Sequence, residues 1–510
     1  MKKNFRNRVL ALNFYTKVLI LIFILGFFLR IIGGVGSLLF TYDQARDAIY
    51  SMGIFSGQLK IVGPASDVPG LFHGPLFYYL IAPAYYLAGG YPNFVYLEMI
   101  FINLLSVVPL FILVKKLFNN AQIALLSALL FSISFETVSY ARWISNPALA
   151  IPAFAIFYLG LWMAINREKY GFIFLSIGCG LAVQSEVFLV YLIPFLILCL
   201  LLYKAKVTDR RLIVLSAIIF LLFIFSYILA ELKFHFQGLM GLKSFLLSSL
   251  TNNSFKTDNF KNYYVSLSNL FSSNLFYGSK IASGIVSLAI FALTAFSVVK
   301  DKDRRSLLFL LLIFFSSLSV FLIATFKAQF VTVGATIPFI ILTSYATWFV
   351  IAKNKILGFL LIFMLVIGNV SAILRFNKTG NKLFQIQDGM IFKDEINLVK
   401  KTYQTSKNEQ FSINAVTNPL FTPTTWAYLY QIYSNRYHLN KPYYHGDSDP
   451  MSTGYSILPR SGEITKTEFT IIEPNLPPYW VQKTIEFDEA RKSTGHTVNV
   501  GLFTLITREN

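Results

Sequence analysis

The sequence predicts a polytopic α-helical membrane protein that ends in a small α/β domain. Of its 510 residues, 55% are hydrophobic and only 14% are charged, whereas soluble globular proteins carry about 25% charged residues. Apolar runs of about 18 residues or more, the length that crosses a bilayer, recur as far as residue 374. The residues after Arg375 have an ordinary soluble composition and contain short strand-like runs.

Membrane spans are predicted where an apolar run is bounded by charged residues. The first run follows the basic N-terminus "MKKNFRNRVLALNFYTK", and no small-residue cleavage site comes after it, so we expect an uncleaved helix. The whole chain yields about eleven spans. They are 18–39, 94–114, 121–139, 147–165, 171–186, 188–203, 212–230, 281–299, 306–325, 331–351 and 356–374.

The loops between these spans alternate in charge, and every second loop is basic. The basic loops carry Lys115, Lys116, Arg167, Lys169, Lys204, Lys206, Arg210, Arg211, Lys300, Lys302, Arg304, Arg305, Lys353 and Lys355. Because basic loops stay in the cytoplasm, we expect a multi-pass plasma-membrane protein with a cytoplasmic N-terminus and an extracytoplasmic C-terminal domain. The net charge of +19 follows this distribution, and there is no nucleic-acid-binding motif, so nucleic acid is not expected as a partner.

The predicted domain boundary lies at the end of the last span. Residues 1–374 form a membrane domain, and residues 375–510 form an α/β domain whose runs "FSINAV", "EFTIIE" and "VGLFTLIT" are typical of strands. Two outer segments of the membrane domain, about 40–93 and 231–280, are too long to be plain connectors.

The segment "TYDQARDAIYSMGIF" opens the first of these outer segments and predicts a short amphipathic helix at the membrane surface. Asp43 and Asp47 are four residues apart and share one helix face, with Arg46 between them in angle. Two other interpretations stay open. Asp43 could serve only as the helix N-cap, and Arg46 could be an interfacial anchor whose charge reaches the membrane surface.

The order of a basic N-terminus, one span, "YDQARDA" and then "HGPLFYY" resembles the GT-C superfamily of integral-membrane glycosyltransferases. Within it, the chain is most similar to the protein mannosyltransferase and aminoarabinose transferase-like branch. Asp43 stands at the family's catalytic Asp, Gln44 replaces a frequent Glu, and Arg46 matches the helix Arg. His73 falls where relatives have Lys or His, and Gly74 follows in place of the first residue of a Pro-Pro pair.

Other positions depart from the family pattern. In "YARWISNPALAIP", Asn146 stands where many relatives have an acidic residue, which weakens the case for a metal in this loop. A divalent metal therefore stays open as a cofactor, with no ligand assigned. "QSE" at 184–186 replaces a Lys of relatives, and "FKAQFVTVGATIP" has Lys327 as its only charge.

The resemblance implies transfer of a sugar from a polyprenyl phosphate carrier to a protein, lipid or glycan acceptor. Asp43 would be the base that takes the acceptor's hydroxyl proton, and a single displacement would invert the anomeric centre. Cations would stabilise the departing phosphate, and Arg46, His73, Arg142 and Lys327 are the candidates. Asp47, Gln44 and Asn146 are candidates for acceptor or other site contacts.

Structural interpretations of these residues stay open beside the functional ones. His73 could be a turn residue, Arg142 could pair with the ring of Trp143, and Lys327 could anchor a helix end. A transporter or flippase of lipid-linked sugars is the rival function, and it predicts mid-span charges and repeat symmetry. Arg30 is the one charge found well inside a predicted span, and the sequence has no such repeat. An envelope assembly factor is a second rival, but it would leave Asp43 and its neighbours without a purpose.

Overall fold

The structure is a computed structural model that describes residues 13–66, 68–187, 189, 192–205, 209–251, 255–300, 303–317, 319, 321, 329–384, 387–492 and 495–509. The helices of the membrane part are α1 (Phe14–Ile31), α2 (Tyr42–Phe55), α3 (Leu76–Leu87), α4 (Asn93–Leu105), α5 (Val107–Phe118), α6 (Ala121–Ile133), α7 (Phe135–Ala141), α8 (Ala150–Ile165), α9 (Gly171–Ser185), α10 (Leu192–Leu202), α11 (Arg210–Lys233), α12 (Gln237–Thr251), α13 (Phe255–Asn274), α14 (Lys280–Lys300), α15 (Arg304–Phe315), α16 (Thr336–Lys353) and α17 (Lys355–Phe376).

Seven helical stretches in the described part of the chain are long and apolar enough to cross a membrane, and one of them, Asn93–Phe118, consists of α4 and α5 together. The number becomes eight if α6 and α7, which meet at an angle of 59°, form one bent span. Three further described helices are apolar but shorter, namely α3, α9 and α10, the last over Ile193–Leu202. Each of the eleven predicted runs contains a helix, and the multi-pass helical architecture is confirmed. The number of eleven spans stays a prediction.

The first helix ends earlier than the sequence predicted. It stops at Ile31 rather than near residue 39, because Gly33 and Gly34 adopt left-handed backbone angles with φ of 91° and 64°. A Cβ atom at Gly33 would lie 2.3 Å from the carbonyl oxygen of Asn377. Glycine therefore lets the chain turn closely against the end of α17 and continue towards α2.

Arg30, the charge predicted inside the first span, is fully buried and ties three helices together. Its guanidinium donates to Oδ1 of Asn103 at 2.9 Å and to the carbonyl oxygens of Gly26 and Ser132 at 3.0 and 2.9 Å. A buried cation whose donors are satisfied in this way serves packing. The rival transporter function thus gains no support from Arg30.

The segment at 231–280, which the sequence predicts to lie on the outer side, contains in its described residues the end of α11 together with α12 and α13. The C-terminal part contains α18 (Phe392–Thr405), β1 (Ser412–Val416), α19 (Thr424–Tyr437), β2 (Tyr443–Tyr444), β3 (Thr467–Ile472), α20 (Pro478–Arg491), β4 (Gly495–Val500) and β5 (Phe503–Glu509). The five strands form one sheet in the order β2-β1-β3-β5-β4. Strands β2, β1 and β3 are parallel, whereas β4 and β5 form an antiparallel hairpin. The predicted small α/β domain is confirmed.

The C-terminal domain packs on the segment that leads into α2. The Phe392 amide donates to the carbonyl oxygen of Leu38 at 3.0 Å, and the ring of Tyr428 stacks on Phe40 at 5.9 Å. Farther along α2, the hydroxyl of Tyr50 lies 2.9 Å from that of Thr453. The C-terminal domain therefore covers part of α2, and a site can form between the two.

Candidate functional site

Helix α2 begins at a capping box rather than at Asp43. The backbone N–H and the hydroxyl of Thr41 both donate to Oε1 of Gln44, at 3.0 and 2.8 Å. The Gln44 amide in turn donates to the carbonyl oxygen of Ile144 at 3.0 Å. The N-cap is therefore Thr41, so the interpretation of Asp43 as the cap is wrong. Gln44, a candidate for an acceptor contact, already uses its side chain to fix this helix end.

Asp43, Arg46 and Asp47 form one ion cluster on α2, on the helix face that their spacing predicted them to share. Nη1 of Arg46 lies 2.7 Å from Oδ1 of Asp43, and Nη2 lies 2.7 Å from Oδ1 of Asp47. Nε of Arg46 also donates to Asp47, at 2.9 Å. The side chain of Asp47 is completely buried, whereas that of Asp43 is 46% exposed. Asp43 is the member of the cluster that a substrate can reach.

Burial and the opposite charges within the cluster shift the pKa values of Asp47 and Arg46. It raises the pKa of Asp47 to about 6, against the opposing charge of Arg46. Burial alone would lower the pKa of Arg46, but the carboxylates of Asp47 and Asp43 outweigh it and raise that pKa. Arg46 is therefore a permanent cation, and Asp47 takes up a proton in mildly acidic solution.

Asp43 lines a cavity of about 310 Å³ between the membrane helices and the C-terminal domain. Its walls are Leu39, Thr41, Tyr42, Asp43, Gln44, Trp143, Phe384, Gln387, Asn418 and Pro419. Trp143 and Phe384 stack face to face at 4.1 Å and form an apolar side. The cavity thus joins a reachable carboxylate to aromatic and amide groups, which is the kind of lining that small polar ligands use.

Several wall residues were not predicted. Gln387 and Asn418 are more than 340 positions from Asp43 along the chain, and no motif marks them. The turn-rich stretch "TNPLFTP" around Asn418 indicates only a loop. Long-range packing alone brings them to the cavity.

His73 lies in the loop before α3 and is buried rather than open to a phosphate. Its Nδ1 is 3.1 Å from the Val187 amide nitrogen and 3.1 Å from Oε1 of Glu186. Burial, with a smaller contribution from Arg46, lowers the pKa of His73 to about 4. His73 is neutral at pH 7, so the structure does not support its assignment as a cation.

Arg142 is buried and donates to five oxygens. These are the carbonyl oxygens of Arg30, Ile32 and Asn377 and the hydroxyls of Tyr96 and Ser37, at 2.6 to 2.9 Å. Its aromatic neighbour is Tyr96, whose ring centroid is 5.6 Å away, so the proposed pair with Trp143 is not the one observed. Arg142 fastens the end of α1 to the end of α17, and its terminal nitrogens are occupied by that task.

Asn146 and Lys327 are the remaining candidates that the sequence predicted. Asn146 is buried, and its side-chain amide donates to the carbonyl oxygen of Ser185 at 2.6 Å, away from the cavity walls. Lys327 lies outside the described residues. Phe330, three positions later, packs on Trp143 with ring centroids 5.9 Å apart. Among the described residues, no group of three or more His, Cys, Asp or Glu side chains could hold a metal ion.

Comparison with known proteins shows which family and which solved structures the chain is similar to. Residues 72–229 match the family of dolichyl-phosphate-mannose-protein mannosyltransferases, and no curated protein matches the chain. The crystal structure of ArnT from Cupriavidus metallidurans bound to undecaprenyl phosphate has a TM-score of 0.63 at 10% identity, over 96% of this chain and 97% of that one. Its apo state has a TM-score of 0.62 at 10% identity, over 96% and 98%.

A third structure, the apo oligosaccharyltransferase of Archaeoglobus fulgidus, has a TM-score of 0.49 at 12% identity over 86% of this chain and 65% of that one. The family match and the fold shared with ArnT confirm the predicted relation to the GT-C superfamily.

Proposed function

Because the chain has a GT-C fold and matches a mannosyltransferase family within residues 72–229, we propose that it is a polyprenyl-phosphate-sugar-dependent glycosyltransferase. It transfers the sugar to an acceptor at the outer face of the plasma membrane. The observation that carries this proposal is Asp43, a half-exposed carboxylate on α2 that lines a cavity against the C-terminal domain. A protein that only binds a ligand or assembles with partners does not need a half-exposed carboxylate in the wall of such a cavity.

The donor is a polyprenyl phosphate carrying one sugar. ArnT, which shares the fold, was crystallised with undecaprenyl phosphate. Arg46 is the leading cation for the phosphate because it keeps its charge and its Nη1 lies 2.7 Å from Oδ1 of Asp43, which lines the cavity. To bind phosphate, it would exchange part of its pairing with the two aspartates.

Lys327 is the second cation of the proposed site. It is three positions before Phe330 in the sequence, and Phe330 packs on Trp143 of the cavity wall with ring centroids 5.9 Å apart. We do not include His73 among the phosphate-binding residues because it is neutral and buried. Arg142 is also excluded, because its terminal nitrogens are occupied by structural hydrogen bonds.

The reaction is a single displacement at the anomeric carbon. The acceptor hydroxyl oxygen attacks that carbon while Asp43 takes its proton, and the bond from carbon to phosphate oxygen breaks. The electron pair of that bond leaves with the polyprenyl phosphate, whose added negative charge Arg46 and Lys327 stabilise. The anomeric configuration inverts, and no covalent enzyme intermediate forms. The exposed side-chain amide of Asn418 can orient the acceptor in the cavity, whereas Nε2 of Gln387 already donates to the carbonyl oxygen of Pro474 at 2.7 Å.

Transfer can be tested with the purified chain in lipid nanodiscs. Polyprenyl phosphates carrying single mannose, glucose, galactose or aminoarabinose residues are mixed with a protein and glycan extract of cell envelopes as acceptor. We expect release of free polyprenyl phosphate from at least one donor, measured by mass spectrometry, and its loss in Asp43→Asn. Passage of intact donors across proteoliposome membranes, with no release of phosphate from any donor, would refute the proposal and favour the rival transporter.

A further inference from the structure

A second crevice lies in the C-terminal domain, at the carboxyl end of its central parallel strand. Strand β1 has β2 on one side and β3 on the other, so the chain leaves β1 in one direction and returns on the opposite side. In open α/β sheets, ligands bind outside the carboxyl ends of the strands at such a reversal. A cavity of about 120 Å³ is found there, next to Val416, the last residue of β1.

The lining of this crevice combines aromatic rings with polar groups of both charge signs. It consists of Asn414, Ala415, Val416, Thr417, Leu420, Phe421, Asp447, Trp480, Lys483, Thr484 and Phe487. Trp480 packs beside Val416 and Ile472, the last residues of β1 and β3. The tryptophan is therefore fixed by the core of the domain while it presents part of its ring to the crevice.

Phe421 stands over the same crevice in a strained backbone conformation. Its φ is 59°, a region that bulky residues rarely adopt and that recurs at ligand sites. The Asp449 amide holds this conformation by donating to the Phe421 carbonyl oxygen at 2.8 Å. Phe421 is 40% exposed, and its ring packs edge to face on Trp480 with ring centroids 5.2 Å apart. The domain thus keeps a large aromatic side chain at the rim of the crevice rather than in its core.

One short loop connects this crevice to the cavity of Asp43. Thr417, Leu420 and Phe421 line the crevice, whereas Asn418 and Pro419, between them in sequence, line the cavity. A molecule held in the crevice is therefore separated from the cavity of the proposed base by a single loop.

From these observations we propose that the crevice binds a sugar ring of a glycan acceptor. The inference rests on the proposed transfer reaction and names its acceptor class. Aromatic rings pack against the C–H face of a sugar, while the Thr484 hydroxyl exchanges hydrogen bonds with its hydroxyls and the carboxylate of Asp447 accepts from them. The volume of about 120 Å³ suits one small ring and is too small for a lipid tail.

The charges at the crevice also favour a neutral ligand over an anionic one. Asp447 and Lys483 provide one negative and one positive group, and the Nζ atom of Lys483 lies 5.3 Å from the centre of the Trp480 ring. A phosphate would meet the carboxylate of Asp447, whereas sugar hydroxyls can both donate to it and accept from Lys483.

The test is binding of simple sugars to the full chain in nanodiscs. The probes are the methyl glycosides of mannose, glucose, galactose and N-acetylglucosamine, detected by saturation-transfer NMR. We expect at least one glycoside to bind with a Kd of about 1 mM or tighter. Trp480→Ala should weaken that binding about tenfold or more, and Asp447→Asn, an exposed position that does not disturb the core, should weaken it severalfold. Gln482→Ala, exposed on the same helix and outside the crevice, is the matched control.

Two results would overturn the inference. One is that none of the four glycosides binds, even if an unstructured peptide is found to bind the crevice instead. The other is glycoside binding that is unchanged in both Trp480→Ala and Asp447→Asn. Asp43→Asn separates this inference from the proposed function, because the variant should bind glycosides normally. A chain that binds glycosides but never transfers sugar would refute only the reaction, and a chain that transfers sugar without binding them would refute only the crevice.

Discussion

Replacing Asp43 by Asn isolates the chemistry of the proposed base from its structural contacts. The substitution keeps the size of the side chain and removes its ability to take a proton. Because Thr41 and Gln44 form the cap of α2, the helix start does not depend on Asp43. The amide oxygen can still accept a hydrogen bond from Arg46.

The expected magnitudes differ enough to be separated. The ion pair of Asp43 and Arg46 is short, at 2.7 Å, but Asp43 is 46% exposed, and exposed pairs contribute about 0–1 kcal/mol to stability. We therefore expect the free energy of unfolding to fall by less than about 1 kcal/mol. Loss of a general base costs about 10²-fold or more in rate, which is about 2.7 kcal/mol or more in the activation free energy.

The assay compares sugar transfer and carrier-lipid binding in nanodiscs for wild type, Asp43→Asn and Asp47→Asn. The second variant is the matched control, since Asp47 lies on the same helix and pairs with the same arginine but is buried. We expect Asp43→Asn to bind the carrier yet lose transfer about 10²-fold, and Asp47→Asn to lose less than about tenfold. Transfer by Asp43→Asn at the wild-type rate would refute the base assignment.

Further predictions concern the carrier, the buried charges and the orientation of the chain. Arg46→Ala should weaken polyprenyl phosphate binding by about 1.5–3 kcal/mol, typical of a charge-assisted contact, and unchanged binding in an equilibrium assay would remove Arg46 from the site. Arg142→Met should lower the free energy of unfolding by about 3 kcal/mol or more without changing carrier binding per folded molecule, because five oxygens lose their donor; weaker binding in a stable variant would restore the phosphate role. Since the pKa of Asp47 rises to about 6 on folding from an ordinary value near 3.8, its contribution to stability is present below pH 3.8 and is lost as the pH rises to 6. Denaturant unfolding of wild type relative to Asp47→Asn should show a decrease on the order of 2 kcal/mol over that range, and parallel curves would contradict the raised pKa. Reporter fusions after Lys116 and Arg305 should be cytoplasmic, and an external reporter at Arg305 would break the predicted span order.

Local signals account for the parts of the site that could be predicted. Asp43, Arg46 and Asp47 are found together because the 3.6-residue period of a helix places positions three and four apart side by side, whatever the rest of the fold does. The strand-like run "FSINAV" likewise forms β1, since a short run rich in apolar residues can bury its side chains in a sheet.

The environment of each charge could not be predicted in this way. His73 and Arg142 have the residue types of phosphate ligands, yet one is buried beside Glu186 and the other is occupied by five oxygens of distant segments. Burial and pairing depend on which segments pack together, and this information is spread over several hundred residues of sequence.

The sequence by itself determined the membrane class, the helical runs, the α/β composition of the C-terminal domain and the ion cluster of α2. Each follows from hydrophobicity or from a local period, and both act between residues that are close in the chain. Only the tertiary structure decided which of the two aspartates is open to a substrate and what faces it. Asp43 lines one cavity with Gln387 and Asn418 because the C-terminal domain packs on the segment that leads into α2, and packing between such distant residues leaves no periodic pattern in the sequence.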